Sequence, residues 1–206
     1  MQLARERGIR FGRLQVVDAT HSQAVVDVHK DRERQKEGKG PRDGGADWGC
    51  KGRKRVKTTE GKTVLVNNHF YGYKTHMSVN TQSEMVTSVV TTAGNETDGK
   101  QLGKLGQKDE EVGVEAEVYA GDKAYDDGDN HEMLRCRGKS SALCLKEYRT
   151  RLYPEGLWAE IKGSEDYRAG LRERYKIEQK NGEAKRWHGL SRCRYLALTP
   201  FRRPRA

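Results

Sequence analysis

Hydrophobic and polar residues alternate in several short stretches of this chain, a pattern that is typical of strands with one buried face. The strongest runs cover residues 63–66, 70–79 and 85–92, and the last of them is rich in β-branched side chains. The turn-like residues 80–83 lie between the second and third runs. The pattern therefore predicts a meander of antiparallel strands in this part of the chain.

The region before this meander is harder to assign from its pattern. Residues 14–18 read as a strand that ends on a carboxylate, and residues 24–28 as a second strand after a turn at 20–22. Residues 30–61 are rich in Gly, Lys, Arg and Asp, which predicts a long charged loop. Its block 51–57 holds five cations, and either a phosphate-binding patch or a solvated run accounts for them.

Helices and strands alternate from residue 93 onward. The sheet is interrupted at 93–98, and a helix through Leu102 and Leu105 follows, with Thr97 or Asp98 as its cap. The remaining predicted elements are a strand (114–120), a helix (127–137), a strand (141–145), a polar connection (146–165) and a closing helix (174–189). Together they predict an α/β fold in which three antiparallel strands precede the strand–helix alternation.

Composition narrows the function. The 206 residues carry a net charge of +10, which favours a polyanionic partner, nucleic acid in particular. None of the four cysteines is spaced C-x-x-C, so a zinc knuckle and a disulfide scaffold are both disfavoured. We expect reduced thiols, no membrane partner and a cytoplasmic location, because no signal peptide or long apolar run is visible.

Three carboxylates stand where a cation site would need them. Asp18 and Asp122 end predicted strands, and ligands in open α/β sheets bind beyond the carboxyl ends of strands. Glu178 lies in the closing helix at about 40° on the helical wheel. Arg174, at 0°, and Lys185, at about 20°, lie on the same face, so this carboxylate is accompanied by two cations. Convergent carboxylates suit Mg²⁺. The alternatives are turn or cap roles for the aspartates and weak ion pairs on a solvated helix face.

The opposite face of the closing helix carries Ile177, Ala184 and Trp187, so we expect these side chains to pack against the core. Three histidines, His21, His76 and His188, fall near the predicted site, and a hydrogen-bonding structural role is favoured for each. Stacking on an unpaired base is one interpretation of Trp48 in the charged region.

Six motifs in order resemble those of the DDE transposases of bacterial insertion sequences, of the insertion-sequence four/five superfamily. They are Val17-Asp18-Ala19-Thr20, Trp48-Gly49-x-Lys51-Gly52, Phe70-x-Gly72-Tyr73-Lys74-x-His76, Thr92-Ala93-Gly94-Asn95-x-x-Asp98, Gly121-Asp122-Lys123-Ala124-Tyr125-Asp126, and Arg174-x-x-Ile177-Glu178 followed by Gly182-x-x-Lys185-Arg186-Trp187-His188-Gly189-Leu190.

The resemblance implies an RNase H-like mixed sheet flanked by helices, with Asp18, Asp122 and Glu178 as catalytic residues and metal ligands. It implies Mg²⁺ as cofactor, with Mn²⁺ as a substitute, and double-stranded DNA as partner, bound by a homodimer associated with the nucleoid. Strand cleavage at transposon ends and transfer into target DNA are the implied reactions. The implied DNA-binding residues are Arg174, Lys185, Lys123, Arg186 and Lys74.

The resemblance also divides the chain. Residues 1–12 are expected to be a remnant of an N-terminal region, residues 13–195 the catalytic domain, and residues 196–206 an atypical basic tail. Two other functions stay open at this point: an inactive, truncated remnant that only binds DNA, and a host RNase H-like nuclease.

Overall fold

The computed structural model describes residues 1–148 and 156–196. The helices are α1 (Gln2–Glu6), α2 (Val28–Lys36), α3 (Leu102–Glu111), α4 (Gly128–Cys136), α5 (Leu157–Gly163), α6 (Glu165–Glu173) and α7 (Tyr175–Trp187). The strands are β1 (Leu14–Gln23), β2 (Asp47–Lys57), β3 (Thr63–Asn80), β4 (Val86–Ala93), β5 (Val118–Gly121) and β6 (Ser140–Leu143). A short 3₁₀ turn, Gly99–Gln101, leads into α3.

The strands form one six-stranded sheet in the order β2-β3-β1-β5-β6, with β4 paired to β3. Strands β2 and β3 are antiparallel, whereas β5 is parallel to both β1 and β6. Helices follow β5 and β6 along the chain, as parallel strands require a crossover between them. The predicted fold class, an RNase H-like mixed sheet flanked by helices, is confirmed.

The charged region is the largest difference from the sequence-based prediction. Residues 30–61 do not form a loop, because they contain most of α2 and all of β2. The predicted strand at 24–28 is also wrong: Asp27 caps α2 by accepting hydrogen bonds from the backbone N–H groups of His29 and Lys30. The cations of 51–57 lie on β2, which pairs with β3 in antiparallel register.

Four smaller differences concern the bounds and number of the other elements. The two predicted strands at 63–66 and 70–79 form the single strand β3, and β1 extends beyond Asp18 to Gln23. The predicted closing helix corresponds to α7, and α6 precedes it directly. Helix α5 lies within the predicted polar connection, of which residues 149–155 lie outside the described part of the chain, as do residues 197–206 of the predicted tail.

The chain divides into two compact units. Unit 1 comprises Met1–Thr20, His76–Val90 and Thr97–Glu183, and unit 2 comprises His21–Thr75, Thr91–Glu96 and the described residues from Ala184 onward. The core of unit 1 is a cluster of buried apolar and aromatic side chains: Val17, Leu102, Leu105, Ala116, Tyr119, Tyr125, Leu134 and Leu143.

Helix α6 packs closely against β5 and β6 within unit 1. Gly170 makes this possible, because a Cβ atom at this position would lie only 2.4 Å from Cβ of Ala142 and 2.9 Å from Cβ of Ala120. Unit 2 is held in part by a buried hydrogen bond, in which the Tyr73 hydroxyl donates to Oδ1 of Asp43. No helix in the described ranges is long and apolar enough to cross a membrane.

Candidate carboxylate site

Asp18 and Asp122 lie side by side on adjacent parallel strands. The register of β1 and β5 pairs Val17 with Gly121, so the two aspartates occupy the next position along each strand. Asp122 follows the last residue of β5, as predicted, whereas Asp18 lies within β1 and not at its end. The two carboxylates still converge as predicted, because the parallel pairing of β1 with β5 places them at the same height in the sheet although β1 continues beyond Asp18.

The environment of Asp18 disfavours its negative charge. Its pKa is raised to about 6, first because the carboxyl group is largely buried, and also because Asp122 and Asp98 are nearby. A hydrogen bond from the backbone N–H of Ala19 and the charge of Arg174 act in the opposite direction. Burial is therefore the main reason that the charged form of Asp18 is disfavoured.

The loop that carries Asp122 is fixed by its own hydrogen bonds. Oδ1 of Asp122 accepts a 2.8 Å bond from the backbone N–H of Ala124. Further along, the buried Asp126 bonds to Nε2 of His131 at 2.9 Å, and Nδ1 of His131 bonds to the hydroxyl of Ser141 at 2.8 Å. The loop is thus joined to α4 and β6.

This Asp–His–Ser arrangement resembles a hydrolytic triad, but it is structural in character. His131 is 3% exposed and Asp126 is fully buried, and the second oxygen of Asp126 accepts a hydrogen bond from the backbone N–H of Lys146. A buried carboxylate that is fully used in this way fixes a loop. The sequence analysis did not identify these residues as a group.

Helix α7 contributes an unexpected side chain to the site. Nδ2 of Asn181 donates a 2.8 Å hydrogen bond to Oδ2 of Asp18. Asn181 lies at about 340° on the helical wheel, between the buried Ile177 and the polar face. The sequence offered a signal for it, since Asn181 follows the predicted ligand Glu178 by less than one turn.

Glu178 itself faces solvent. Its side chain is 67% exposed, and its nearest cation is Arg174, at 4.0 Å between Nη2 and Oε1. Arg174 is more enclosed, with 28% of its side chain exposed, and its charge acts on Asp18. Lys123, the residue after Asp122, is exposed. Of the three predicted carboxylates, the structure brings Asp18 and Asp122 together, and Glu178 lies on the adjoining helix.

The remaining predicted DNA-binding residues belong to unit 2. Nζ of Lys185 lies 3.3 Å from Nδ1 of His21, and Arg186 is exposed. The pKa of His21 is lowered to about 4, chiefly by burial and then by the charges of Lys185 and Lys51. Lys74 donates from its ammonium group to the carbonyl oxygen of Glu96 at 2.9 Å. These contacts show a locally positive environment around His21.

The three packing predictions for the closing helix have different outcomes, and Ala184 is half-buried. Ile177 is buried, as predicted, but Trp187 is 73% exposed and does not pack into a core. Trp187 is the last residue of α7, as bounded in the structure. Periodicity assigns a side chain to one face of a helix, but it does not indicate how far along the helix the core beside that face extends. Trp48 is also exposed, and the guanidinium carbon of Arg32 lies 5.0 Å from the centre of its ring.

The mixed sheet defines an RNase H-like protein, and paired aspartates on adjacent strands are the arrangement expected of metal-dependent phosphoryl transfer. A family model described as the transposase DDE domain matches residues 10–202. The chain therefore belongs to the DDE transposase domain family, and its function is that of a transposase. Comparisons with curated proteins and with solved structures gave no match.

Membership of this family implies a divalent metal ion and DNA as substrate. Within residues 1–148 and 156–196, no group of three or more His, Cys, Asp or Glu side chains is placed to hold a metal ion. Asp18 and Asp122 nevertheless offer the carboxylate oxygens that Mg²⁺ prefers as ligands. The chemistry of this pair fits a hard divalent cation.

Proposed function

We propose that this chain is the catalytic domain of an insertion-sequence transposase of the four/five superfamily, which cuts DNA at transposon ends and joins it to target DNA. The observation that carries the proposal is the alignment of Asp18 with Asp122 on adjacent parallel strands. Asp18 and Asp122 hold the cation, and Glu178 on α7 serves as the third carboxylate of the site.

The reaction proceeds in two steps. Water first attacks the phosphodiester at the transposon end, so that a P–O bond breaks and a free 3′-hydroxyl is released. The oxygen of that hydroxyl then attacks a phosphorus atom of target DNA and displaces a target 3′-oxygen. When bound, Mg²⁺ (or Mn²⁺ in its place) supplies the Lewis acid that activates the attacking oxygen and stabilises the leaving one.

The basic side chains hold the DNA. Arg174 and Lys123, in unit 1, neutralise phosphates near the scissile bond. Lys185, Arg186 and Lys74, in unit 2, each neutralise a phosphate of bound DNA. Strand β2 supports this role, because its five cations are all exposed: Lys51, Arg53, Lys54, Arg55 and Lys57. Two copies of the chain, one for each transposon end, would act together on chromosomal DNA.

The test is cleavage of a labelled duplex that carries the DNA flanking this gene, in the presence of Mg²⁺ or Mn²⁺. We expect Asp122→Asn and Glu178→Gln each to reduce nicking by at least about 100-fold, since each removes a charged ligand. Glu183→Gln is the matched control on α7, because Glu183 is exposed and forms an ion pair with the neighbouring Lys180. Equal nicking by wild type and both ligand variants would overturn the proposal.

The same assay separates the alternatives. Salt-sensitive binding with no cleavage under any divalent ion would indicate a DNA-binding remnant. Cleavage of an RNA–DNA hybrid without joining would indicate an RNase H-like nuclease. For the DNA contact itself, Lys54→Gln with Arg55→Gln should reduce the slope of log K against log salt by about 2, because each phosphate contact contributes about 0.9.

A further inference from the structure

The outer part of the β2–β3 hairpin, residues 53–67, is exposed on both faces, and we call it the arm. Residues 53–57 of β2 are all exposed, and residues 63–67 of β3 are exposed except for the half-buried Val66. A two-stranded ribbon that is covered on neither face is only marginally stable by itself in water. A partner that covers one face of the arm would therefore stabilise it.

The backbone of the arm is ordered at both of its ends. At the tip, the N–H of Thr58 donates a 2.8 Å hydrogen bond to the carbonyl oxygen of Lys62 and closes the turn. At the base, β2 carries one extra residue between Cys50 and Arg53, and Gly52 has a φ of 65° there. Glycine adopts this left-handed conformation without steric cost, and such a bulge redirects the strand.

The register divides the side chains of the arm between two faces of different chemistry. Successive residues of a strand point to opposite sides, and directly opposed residues share a side. One face holds three cations opposite an amide, a leucine and a threonine: Arg53–Asn67, Arg55–Leu65 and Lys57–Thr63. The other face holds one cation and three valines: Lys54–Val66 and Val56–Val64.

The positive charge of this hairpin is not compensated by carboxylates. Residues 51–69 hold six cations and one carboxylate, and so account for +5 of the chain's net charge of +10. Lys62 pairs with Glu60 at 3.3 Å, but within residues 1–148 and 156–196 none of the five cations on β2 forms an ion pair. Uncompensated cations on one face fit a polyanionic partner.

The dimensions of the arm fit duplex DNA. The major groove is about 12 Å wide and admits a two-stranded β-ribbon, whose strands lie about 4.8 Å apart. Protection of an edge strand from aggregation is the alternative role of the cations, and for that role charge alone suffices.

Arg53 and Asn67 carry the chemistry that recognises bases. Arginine donates two hydrogen bonds to a guanine edge, and asparagine makes two with an adenine edge. Of the four cations paired with β3, only Arg53 lies opposite an amide. Both side chains are exposed, and neither makes a hydrogen bond within the part of the chain that the structure describes. Their functional groups are therefore available to a partner.

We propose that the arm lies in the major groove of DNA at the transposon ends, where Arg53 and Asn67 read base edges and the other cations of β2 hold phosphates. The proposal rests on the proposed function, because cleavage at a fixed site requires recognition of a fixed sequence. It adds the residues that recognise that sequence. A second copy of this chain, bound to the valine face, is the other occupant that the test distinguishes.

The experiment measures how strongly the purified full chain prefers a labelled duplex of the DNA flanking this gene over a shuffled duplex of equal composition. Fluorescence anisotropy in EDTA gives both affinities without strand cleavage. We expect Arg53→Lys and Asn67→Ala each to reduce the preference by about 5–150-fold, the range for one base contact. Lysine keeps the charge of Arg53 but lacks its planar fork, so a role in charge alone would leave the preference unchanged and overturn the proposal.

Lys54→Gln is the matched control, because Lys54 lies on the opposite face of the arm. It should weaken binding to both duplexes equally and reduce the slope of log K against log salt by about 1. A loss of sequence preference in Lys54→Gln as large as that in Arg53→Lys would overturn the assignment of the two faces.

A modified duplex tests whether the contact lies in the major groove. Replacement of every guanine in the flanking duplex by 7-deazaguanine removes the N7 acceptor there and keeps the base pairing. Wild type should lose at least about 5-fold more affinity than Arg53→Lys, since the variant has already lost its contact with N7. Equal losses by the two proteins would overturn the proposal.

Nicking of the flanking duplex by wild type separates this inference from the proposed function. If wild type nicks it and both arm variants keep the sequence preference, the arm does not read DNA and the proposed function stands. If both variants lose the preference but wild type nicks with neither Mg²⁺ nor Mn²⁺, the inference stands and the proposed function is overturned. If Val64→Thr reduces self-association and Arg53→Lys keeps the preference, the valine face joins two copies and the inference is overturned.

Discussion

Asn181 on α7 donates a 2.8 Å hydrogen bond to Oδ2 of Asp18 on β1, and so links two residues 163 positions apart in the chain. The bond joins the first candidate ligand to the helix that carries the last one, Glu178. It also supplies one of the few favourable partners of a carboxylate whose charge is otherwise disfavoured. The amide of Asn181 therefore joins α7 to β1 at the candidate site.

Removal of this amide tests its contribution. We expect Asn181→Ala to reduce the free energy of unfolding by about 1–2 kcal/mol in EDTA, because a largely buried oxygen loses its donor. Asn181→Asp should reduce it further, since a carboxylate would then face Asp18, and Mg²⁺ should restore part of the loss. Urea unfolding measures both, with the exposed Gln179→Ala on the same helix as control. If both Asn181 variants have the same free energy of unfolding as Gln179→Ala, the hydrogen bond to Asp18 does not contribute to stability.

The environment of His21 predicts a pH dependence of stability. Its pKa is lowered from 6.5 to about 4, so the folded state favours the neutral ring. The stability it contributes is fully present above pH 6.5, and it is lost as the pH falls toward 4. We expect a loss of about 1 kcal/mol over that window, because solvent screens part of the effect.

His21→Gln should abolish this part of the pH dependence, whereas His29→Gln should keep it, since His29 is exposed on α2. Urea unfolding at pH 7, 6, 5 and 4 gives the comparison. If the two variants show the same slope, the positive environment around His21 does not act as the structure indicates.

The hydrogen-bonded chain of Asp126, His131 and Ser141 predicts a large effect on stability. His131→Ala should reduce the free energy of unfolding by about 3 kcal/mol, because it leaves a fully buried carboxylate without its imidazole partner. Ser141→Ala should cost only about 1 kcal/mol, since it removes a single neutral hydrogen bond. Denaturant titration checks the order, and equal losses would argue against the chain as described.

Two glycines in neighbouring helices should respond in opposite directions to alanine. Gly170→Ala on α6 should destabilise by about 1–3 kcal/mol, because the new methyl group would overlap Cβ of Ala142. Gly182→Ala on α7 meets nothing within 4 Å and should stabilise by about 0.5–1 kcal/mol through helix propensity. Thermal unfolding measures both. Destabilisation by both would mean that helix geometry, and not the contact with β5 and β6, sets the effect.

Local patterns in the sequence determined much of the fold. The β-branched runs predicted β3 and β4, and the apolar spacing around Leu102 and Leu105 predicted α3, because a strand or helix with one buried face must repeat with its own period. The neighbourhood of Asp18 and Asp122 followed from the same logic, since both follow apolar runs that pair in parallel. The motifs of the resemblance added the family.

Only the tertiary structure decided the rest. The charged segment 47–57 forms β2 because β3 supplies its backbone hydrogen-bond partners. The side chains of an exposed strand need not be apolar, so the sequence pattern does not reveal such a strand. Likewise, Asn181 is an ordinary residue in its local sequence, and it gains its significance from the hydrogen bond that it donates to the distant Asp18. Periodicity encodes which side of an element is buried, whereas the partners across the fold depend on contacts between residues far apart in the chain.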